Sequence, residues 1–314
     1  MPSPKGTKLP FPTFPEFKRL TIDDRDDVMR AVKHLCPSYD LSFQGLMTWW
    51  NTMDNIAVSE LNDNLVIPYY MPGDEVNAGL SLVGTNAIDE SICAIFDYLK
   101  AKGEPVRLVN VPEFVLSYVR YHDMFTFTDQ RDFAEYVMPL AHFYPLKNMA
   151  PHWAQKVKQL LAKYPREEIK VRALDLEVPS QKTELLAAAR TWRTRNKIND
   201  FGRVEGDCMR YLITNAQALG IENLCVYVND TMWGFCLYEV GADRKTLIMK
   251  HIKATHPETF GFEFIGYHLA ENLLAQGYKD VNFGADYGIK PLRMFMLTLG
   301  TYNFQRKYII EPRK

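Results

Sequence analysis

Polar and apolar positions alternate with two different periods along this chain, and the switches between them outline its elements. LTIDDRDDVMRAVKHL has helical spacing, with Thr21 as its N-cap, aspartates in the first turn, and Lys33 and His34 near its end. Leu41–Trp50 is a second helical run. NIAVSELNDNLVIPYY reads as two strands around Asn62, Asp63 and Asn64. Asn86–Lys102 is helical and closes in Lys100, Lys102 and Gly103. VRLVNV is then a strand, Pro112–Tyr121 a short helix, Phe133–Leu140 a strand, Pro151–Tyr164 a helix and Ile169–Leu174 a strand. The second half runs through the same alternation. Leu185–Asn196 and Val204–Leu219 are helical, and LCVYV and MWGFCLYEV form a hairpin through Asn229–Asp230. Leu247–Ile252 is a strand, Gly261–Gln276 a helix, Val281–Phe283 a short strand, Pro291–Leu299 a helix and Tyr308–Ile310 a last strand.

Each half thus predicts helices, a hairpin-led sheet, a crossing helix and a late strand. The order hairpin, helix, strand differs from a plain βαβ series. It fits an α/β (α+β) tandem GNAT-like acyltransferase fold, with two similar domains whose mixed central sheets splay to admit a carbonyl. The expected division is an irregular proline-rich arm at 1–17, an N-terminal domain at 18–178 and a C-terminal domain at 179–314, with the boundary between Leu174 and Lys182.

Composition narrows the class. The chain has 314 residues, 47% hydrophobic and 13% aromatic, which excludes a disordered protein. Lys and Arg number 37 against 38 Asp and Glu, so a nucleic-acid partner would need a local basic patch. The five cysteines show no zinc spacing and fit a reducing compartment. The N-terminal prolines interrupt any signal-like apolar run, and no uncharged window reaches 18 apolar residues. The expectation is a cytoplasmic protein with no transmembrane segment and no metal.

Near the C-terminus, Asn282-Phe283-Gly284-Ala285-Asp286-Tyr287-Gly288-Ile289-Lys290-Pro291-Leu292-Arg293 resembles the Asn-Arg-Glu-Glu-Asp-x-Gly…Leu-Arg motif of the cytosolic C-terminal domain of phosphatidylglycerol lysyltransferase. His251-Ile252-Lys253-Ala254 followed by Gly261, Ser38…Ser42-Phe43…Leu46…Trp49, and Glu135-Tyr136-Val137…Leu140 resemble further segments of that family, in the same order. The resemblance implies a tandem GNAT-like fold and an aminoacyl group moved from a charged tRNA to a lipid head group or small acceptor. The sequence departs from the family at Phe283, Gly284 and Ala285, where three charges are missing, at Met296 in place of a lysine, and in the weak basic run His152–Lys158. Those departures bear on donor, acceptor and activity.

The candidate site residues follow from chemistry and from that resemblance together. Asp286, in the loop after a strand, can hold an α-ammonium or serve as a turn residue. Arg293 stands on an otherwise apolar helix and suits a phosphate or carboxylate clamp, or a structural pair with Asp286. Lys253 and His251 fall on one face of an alternating strand, Lys253 to meet an anionic donor and His251 as a general base. Asn282, Tyr238 and Glu239 are candidates for orienting a loop, a substrate amide or an acceptor. Glu205 and Asp207 read as helix-dipole partners. No glycine-rich pyrophosphate loop precedes either crossing helix, which favours aminoacyl-tRNA as the donor and leaves acyl-CoA as the alternative, with no bound cofactor. Two basic clusters are candidates for tRNA contact. Arg190, Arg193, Arg195 and Lys197 surround Trp192, and Lys156, Lys158, Lys163 and Arg166 lie on a helix face. The non-enzymatic alternative is a binding protein whose cleft is filled by aromatic side chains, with Phe283, Phe295 and Tyr287 as candidates.

Overall fold

The structure, a computed structural model, describes residues 9–32, 38–50, 56–71, 74–195, 200–258, 260–300 and 303–313. Its elements begin with β1 (Lys18–Arg19), α1 (Arg25–Val32), α2 (Phe43–Gly45), β2 (Ala57–Leu61), β3 (Asn64–Met71), β4 (Asp74–Val83), α3 (Ile88–Lys102) and β5 (Leu108–Pro112). They continue with α4 (Glu113–Leu116), β6 (Phe125–Asp129), β7 (Glu135–Pro139), α5 (Pro151–Lys163), β8 (Ile169–Arg172), α6 (Pro179–Arg195), α7 (Asp200–Thr214) and α8 (Ala216–Leu219). The last are β9 (Glu222–Val228), β10 (Thr231–Val240), β11 (Thr246–Ala254), α9 (Gly261–Ala275), β12 (Asp280–Ala285), α10 (Lys290–Thr298), β13 (Asn303–Gln305) and β14 (Lys307–Pro312). Among the described residues no helix is long and apolar enough to cross a membrane.

The chain divides into two compact units. The first is drawn from Met1–Cys36, Met53–Glu135 and Phe304–Lys314. Its mixed sheet runs β1-β2-β3-β4-β5-β14-β6. β2 and β3 turn through Asn62 and Asp63, both left-handed, as a two-residue hairpin requires. α3 crosses from β4 to β5 and buries Ile88, Ile92, Ile95, Phe96 and Leu99, spaced as one helical face, against Val66, Leu82, Val111 and Ile310. Gly103 ends it in the left-handed region. Glu135 and Lys307 form an ion pair of 2.7 Å in this unit, their side chains 0% and 2% exposed.

The second unit is drawn from Pro37–Thr52 and Tyr136–Asn303. Its mixed sheet runs β13-β7-β12-β11-β10-β9-β8. β9 and β10 turn through left-handed Asn229 and Asp230, β10 and β11 are antiparallel, and β11 and β12 are parallel across the crossing helix α9.

Each sheet therefore repeats one plan, a run of antiparallel strands, a parallel pair joined by a crossing helix, and two further strands. Both are mixed sheets of the GNAT-like kind. The penultimate strand in each comes from the late part of the chain's other half. β14 lies between β5 and β6, with Tyr308 opposite both Val111 and Asp129, and β7 lies between β12 and β13. The compact units thus divide elsewhere than at 178/179. A cut there would part β8 from β9, which it pairs from Ile169–Val228 to Arg172–Cys225, and would leave both exchanged strands with the wrong half. The expected helix Pro112–Tyr121 is a single turn, α4, and β4, β6 and β13 are additional strands.

Candidate functional site

β11 and β12 pair over three positions, Thr246–Asp280, Leu247–Val281 and Ile248–Asn282, and then part. β11 runs on to Ala254 against β10, but its register slips, because Leu237 faces His251 while Tyr238 faces Met249. Lys250 is the extra residue of that bulge, and the bulge re-aims its side chain into the fork between the two strands.

A segment from the same unit fills the fork. Ser42 caps α2 by accepting from the Gly45 amide at 3.1 Å, which fixes Tyr39 and Asp40 just ahead of it. The Tyr39 hydroxyl donates to the Lys250 carbonyl at 3.0 Å. The Lys250 ammonium donates back to the Tyr39 carbonyl at 2.8 Å and to Ser42 Oγ at 3.0 Å. It also stands 3.8 Å from Glu239 Oε2, both side chains being buried. Across the fork Gly284 has φ +75°, and a Cβ there would lie 2.9 Å from the Tyr39 ring, so glycine is required on two counts. Asn282, fully buried, accepts from the Gly284 amide at 2.8 Å and holds that turn.

Beyond the turn, Asp286 and Arg293 meet as a bidentate pair. Arg293 Nε donates to Oδ2 at 2.9 Å and Nη2 to Oδ1 at 2.6 Å. The Tyr136 hydroxyl adds a bond to Oδ2 at 2.5 Å and the Gly288 amide one to Oδ1 at 2.9 Å. Burial by itself raises the Asp286 carboxyl, but the bonds from Arg293, Tyr136 and Gly288 outweigh it and hold the group below its ordinary value. Tyr287 turns the other way and donates to Asp40 Oδ1 at 2.6 Å.

A second cluster lies on the face of β11 that carries His251 and Lys253. Glu205 Oε1, from α7, is 2.6 Å from Lys253 Nζ and 3.4 Å from His251 Nδ1. Burial raises the Glu205 carboxyl, but His251 and Lys253 outweigh it and bring it down to about 2. Burial pushes His251 below its ordinary value against the pull of Glu205. The Lys253 ammonium lies 4.0 Å from the centroid of the Trp192 ring, a cation–π contact.

The geometry sorts the expected site residues. It brings Asp286 and Arg293 together with Asn282 close by, and Lys253 and His251 onto one face. Glu239 sits beneath Lys250, whereas Tyr238 turns away to Tyr278, with ring centroids 6.4 Å apart, and burial raises its hydroxyl. Arg193 lies against α7 beside Asp207 and Gly206, and Arg195 bonds the Thr255 carbonyl. Lys197 and Trp49 lie outside the residues whose side chains are described. Two expectations change. Asp286 is fully enclosed by donors and anchors Arg293, which leaves no place for an α-ammonium on it. Glu205 is an ion-pair partner of β11 rather than a helix-dipole residue. In the second basic cluster Lys156 and Lys163 of α5 pair with Glu263 and Glu258, and Arg166, just beyond that helix, pairs with Glu271. Phe283 packs on Phe143 and Phe295 on Trp153 and Phe262, and Tyr39 is the aromatic side chain in the fork.

Sequence reasoning missed Tyr39, Asp40, Lys250 and Tyr136 as site residues. The signal for the first two was the Ser38…Ser42 match; for Tyr136 it was the Glu-Tyr segment. Among the described residues no three metal-binding side chains converge.

The family model for the phosphatidylglycerol lysyltransferase C-terminal region matches residues 37–308. The chain belongs to that family. Membership supports aminoacyl transfer as its broad chemistry. No curated protein sequence matches. Among solved structures, a conserved protein of unknown function from Bacteroides thetaiotaomicron is similar at TM-score 0.75 and 18% identity, over 95% of this chain and 99% of that one. L-PGS from Bacillus licheniformis is similar at TM-score 0.58 and 13% identity, over 93% of both chains. FemX is similar at TM-score 0.53 and 13% identity, over 95% of this chain and 97% of that one. At these identities the likeness is one of fold alone, shared with L-PGS and FemX.

Proposed function

We propose that this protein moves an aminoacyl group from a charged tRNA to a small-molecule or lipid acceptor, in the cytoplasm and with no bound cofactor. The acceptor's amine or hydroxyl attacks the ester carbonyl, the bond to the tRNA ribose breaks, and the tRNA leaves with its hydroxyl reprotonated. Arg293, fixed by Asp286 and with its side chain 31% exposed, offers its guanidinium to a donor phosphate or the developing oxyanion. Lys253 meets the substrate, while Glu205 and His251 position it. Asn282 and Glu239 hold the two sides of the fork.

One observation carries the choice of donor, namely the charge at the start of each crossing helix. An acyl-CoA donor on this fold needs that helix N-terminus for its pyrophosphate. Asp89 and Glu90 occupy the first turn of α3, and Asp89 accepts from the Arg120 and Tyr121 amides at 3.1 and 3.0 Å. Glu258 precedes α9 and Glu263 stands in its first turn. The carboxylates at both positions take up the nearby cations, Arg120 at α3 and Lys163 and Lys156 at α9, so neither helix start offers a pyrophosphate an unopposed positive charge, which favours an RNA-borne ester as the donor.

A second reading, a binding protein without activity, has Tyr39 in the fork on its side. The test is to incubate the purified protein with charged tRNAs and with acetyl-CoA separately, over a range of acceptors, and follow loss of each activated ester. Protein-dependent loss from charged tRNA supports the proposal, and loss from acetyl-CoA replaces the donor. Turnover of neither sinks both transferase readings in favour of the second.

A further inference from the structure

Within the second unit, α6 and α7 frame a groove of about 390 Å³ that the fork does not use. Leu186, Ala189 and Gly206 give it apolar surface, and Arg190, Arg193 and Arg210 with Asp207 complete its lining. Arg190 and Arg193 are three residues apart on α6 and share a face. Arg193 lies flat along α7 because residue 206 has no side chain, a Cβ there falling 3.1 Å from Arg193 Cδ. Its Nη1 is 3.8 Å from Asp207 Oδ1, and Arg210 Nη2 is 3.2 Å from the same oxygen. Two guanidiniums thus share one carboxylate, and Arg190 beside them donates to the Leu186 carbonyl, so three arginines line the groove against a single acid. The second basic cluster, by contrast, has an acid for each of Lys156, Lys163 and Arg166.

The groove also leads somewhere. Arg193 follows Trp192, whose ring lies under the Lys253 ammonium, and Gly206 follows Glu205, which pairs with that lysine. The same two helices therefore present arginines outward and the polar cluster of β11 inward. Guanidiniums bind phosphates bidentately, and apolar surface between them accepts a sugar or base. We infer that the α6–α7 groove binds the phosphates of a single-stranded RNA end and delivers that end toward Lys253. The inference rests on the RNA-borne donor proposed above.

The test measures binding of uncharged tRNA, and of a short RNA carrying the same single-stranded 3′ end, by fluorescence anisotropy across a salt series. It uses the full chain, the R190Q/R193Q/R210Q variant, and a control, K100Q/K102Q/K245Q, that removes as many charges elsewhere. All three are first checked for folding by circular dichroism. Loss of three phosphate contacts flattens the slope of log K against log salt by about 2, at about 0.7 per single-strand contact. Affinity of the groove variant is expected to fall on the order of 10- to 100-fold at low salt, while the control stays within about threefold of wild type. Equal binding by groove variant and control overturns the inference. So does AMP competing as well as the short RNA, which would make a free nucleotide the occupant. Ester turnover from charged tRNA is followed in parallel. Turnover with groove-independent binding removes this inference alone. Groove-dependent binding without turnover removes the proposed activity alone. Absence of any RNA binding overturns both.

Discussion

Replacing Glu205 by glutamine removes the charge that gathers Lys253 and His251 on one face of β11. The carboxyl sits at about 2 against an ordinary 4.5, and with its side chain 18% exposed the difference is only weakly screened. At about 1.4 kcal/mol per pKa unit, the ionised form contributes about 3 kcal/mol to folding at neutral pH. Because the folded value lies below the unfolded one, that stabilisation is fully present above about pH 4.5 and is lost as pH falls toward about 2. Linkage leaves about 1.4 kcal/mol at pH 3. Urea unfolding of wild type and E205Q at pH 7 and pH 3 reads the gap directly. The expected gap is about 3 kcal/mol at the higher pH and about half of that at the lower. A gap that stays the same at both pH values, or one near zero at pH 7, refutes the assignment of Glu205 as the anion of this cluster.

Asp286→Asn leaves Arg293 without its carboxylate and should cost about 2–4 kcal/mol, since one partner is fully buried and the other partly exposed. Its carboxyl is also depressed, so in urea titrations the penalty should be present above about pH 4 and shrink below it. Gly284→Ala meets both a left-handed backbone and the Tyr39 ring and should cost about 2–4 kcal/mol, with much of the clash recovered in a Tyr39→Ala background, as a double-mutant cycle would show. Lys307→Met strands Glu135 in the first unit and should cost about 3–5 kcal/mol, whereas E135L/K307M should regain most of it in thermal melts.

Local signals carried much of this architecture. The Asn62–Asp63 and Asn229–Asp230 hairpins, the Gly103 helix end and the crossing helices α3 and α9 all stand where period and turn chemistry put them. β4, whose Val76, Ala78, Leu80 and Leu82 alternate with Asn77, Gly79 and Ser81, and β6, whose Phe125 and Phe127 alternate with threonines, carried a two-residue period that sequence reasoning overlooked, whereas β13 is only three residues long. Strand exchange was not legible at all, because a two-residue period says which face a side chain takes and nothing about which strand lies alongside. The same holds at the site. Asp286 and Arg293 were found through a motif and a lone charge on an apolar helix. Lys250 was hidden because a bulge breaks the odd–even count along β11. Tyr39 is 211 positions from its partner. Glu205 was misread because an acid near a helix start has a ready local explanation.

The placement of β14 has a consequence for how the protein is made. β5 and β6 leave the ribosome with a gap between them that only Lys307–Pro312 can close. At a synthesis rate of about 5–20 residues per second, the stretch from Asp129 to Lys307 takes about 10–35 s to emerge. For that interval the first sheet presents two unsatisfied edges to the cell, the state in which strands recruit foreign partners. Stalled or truncated nascent chains lacking these last residues should therefore depend on chaperones far more than the finished protein does.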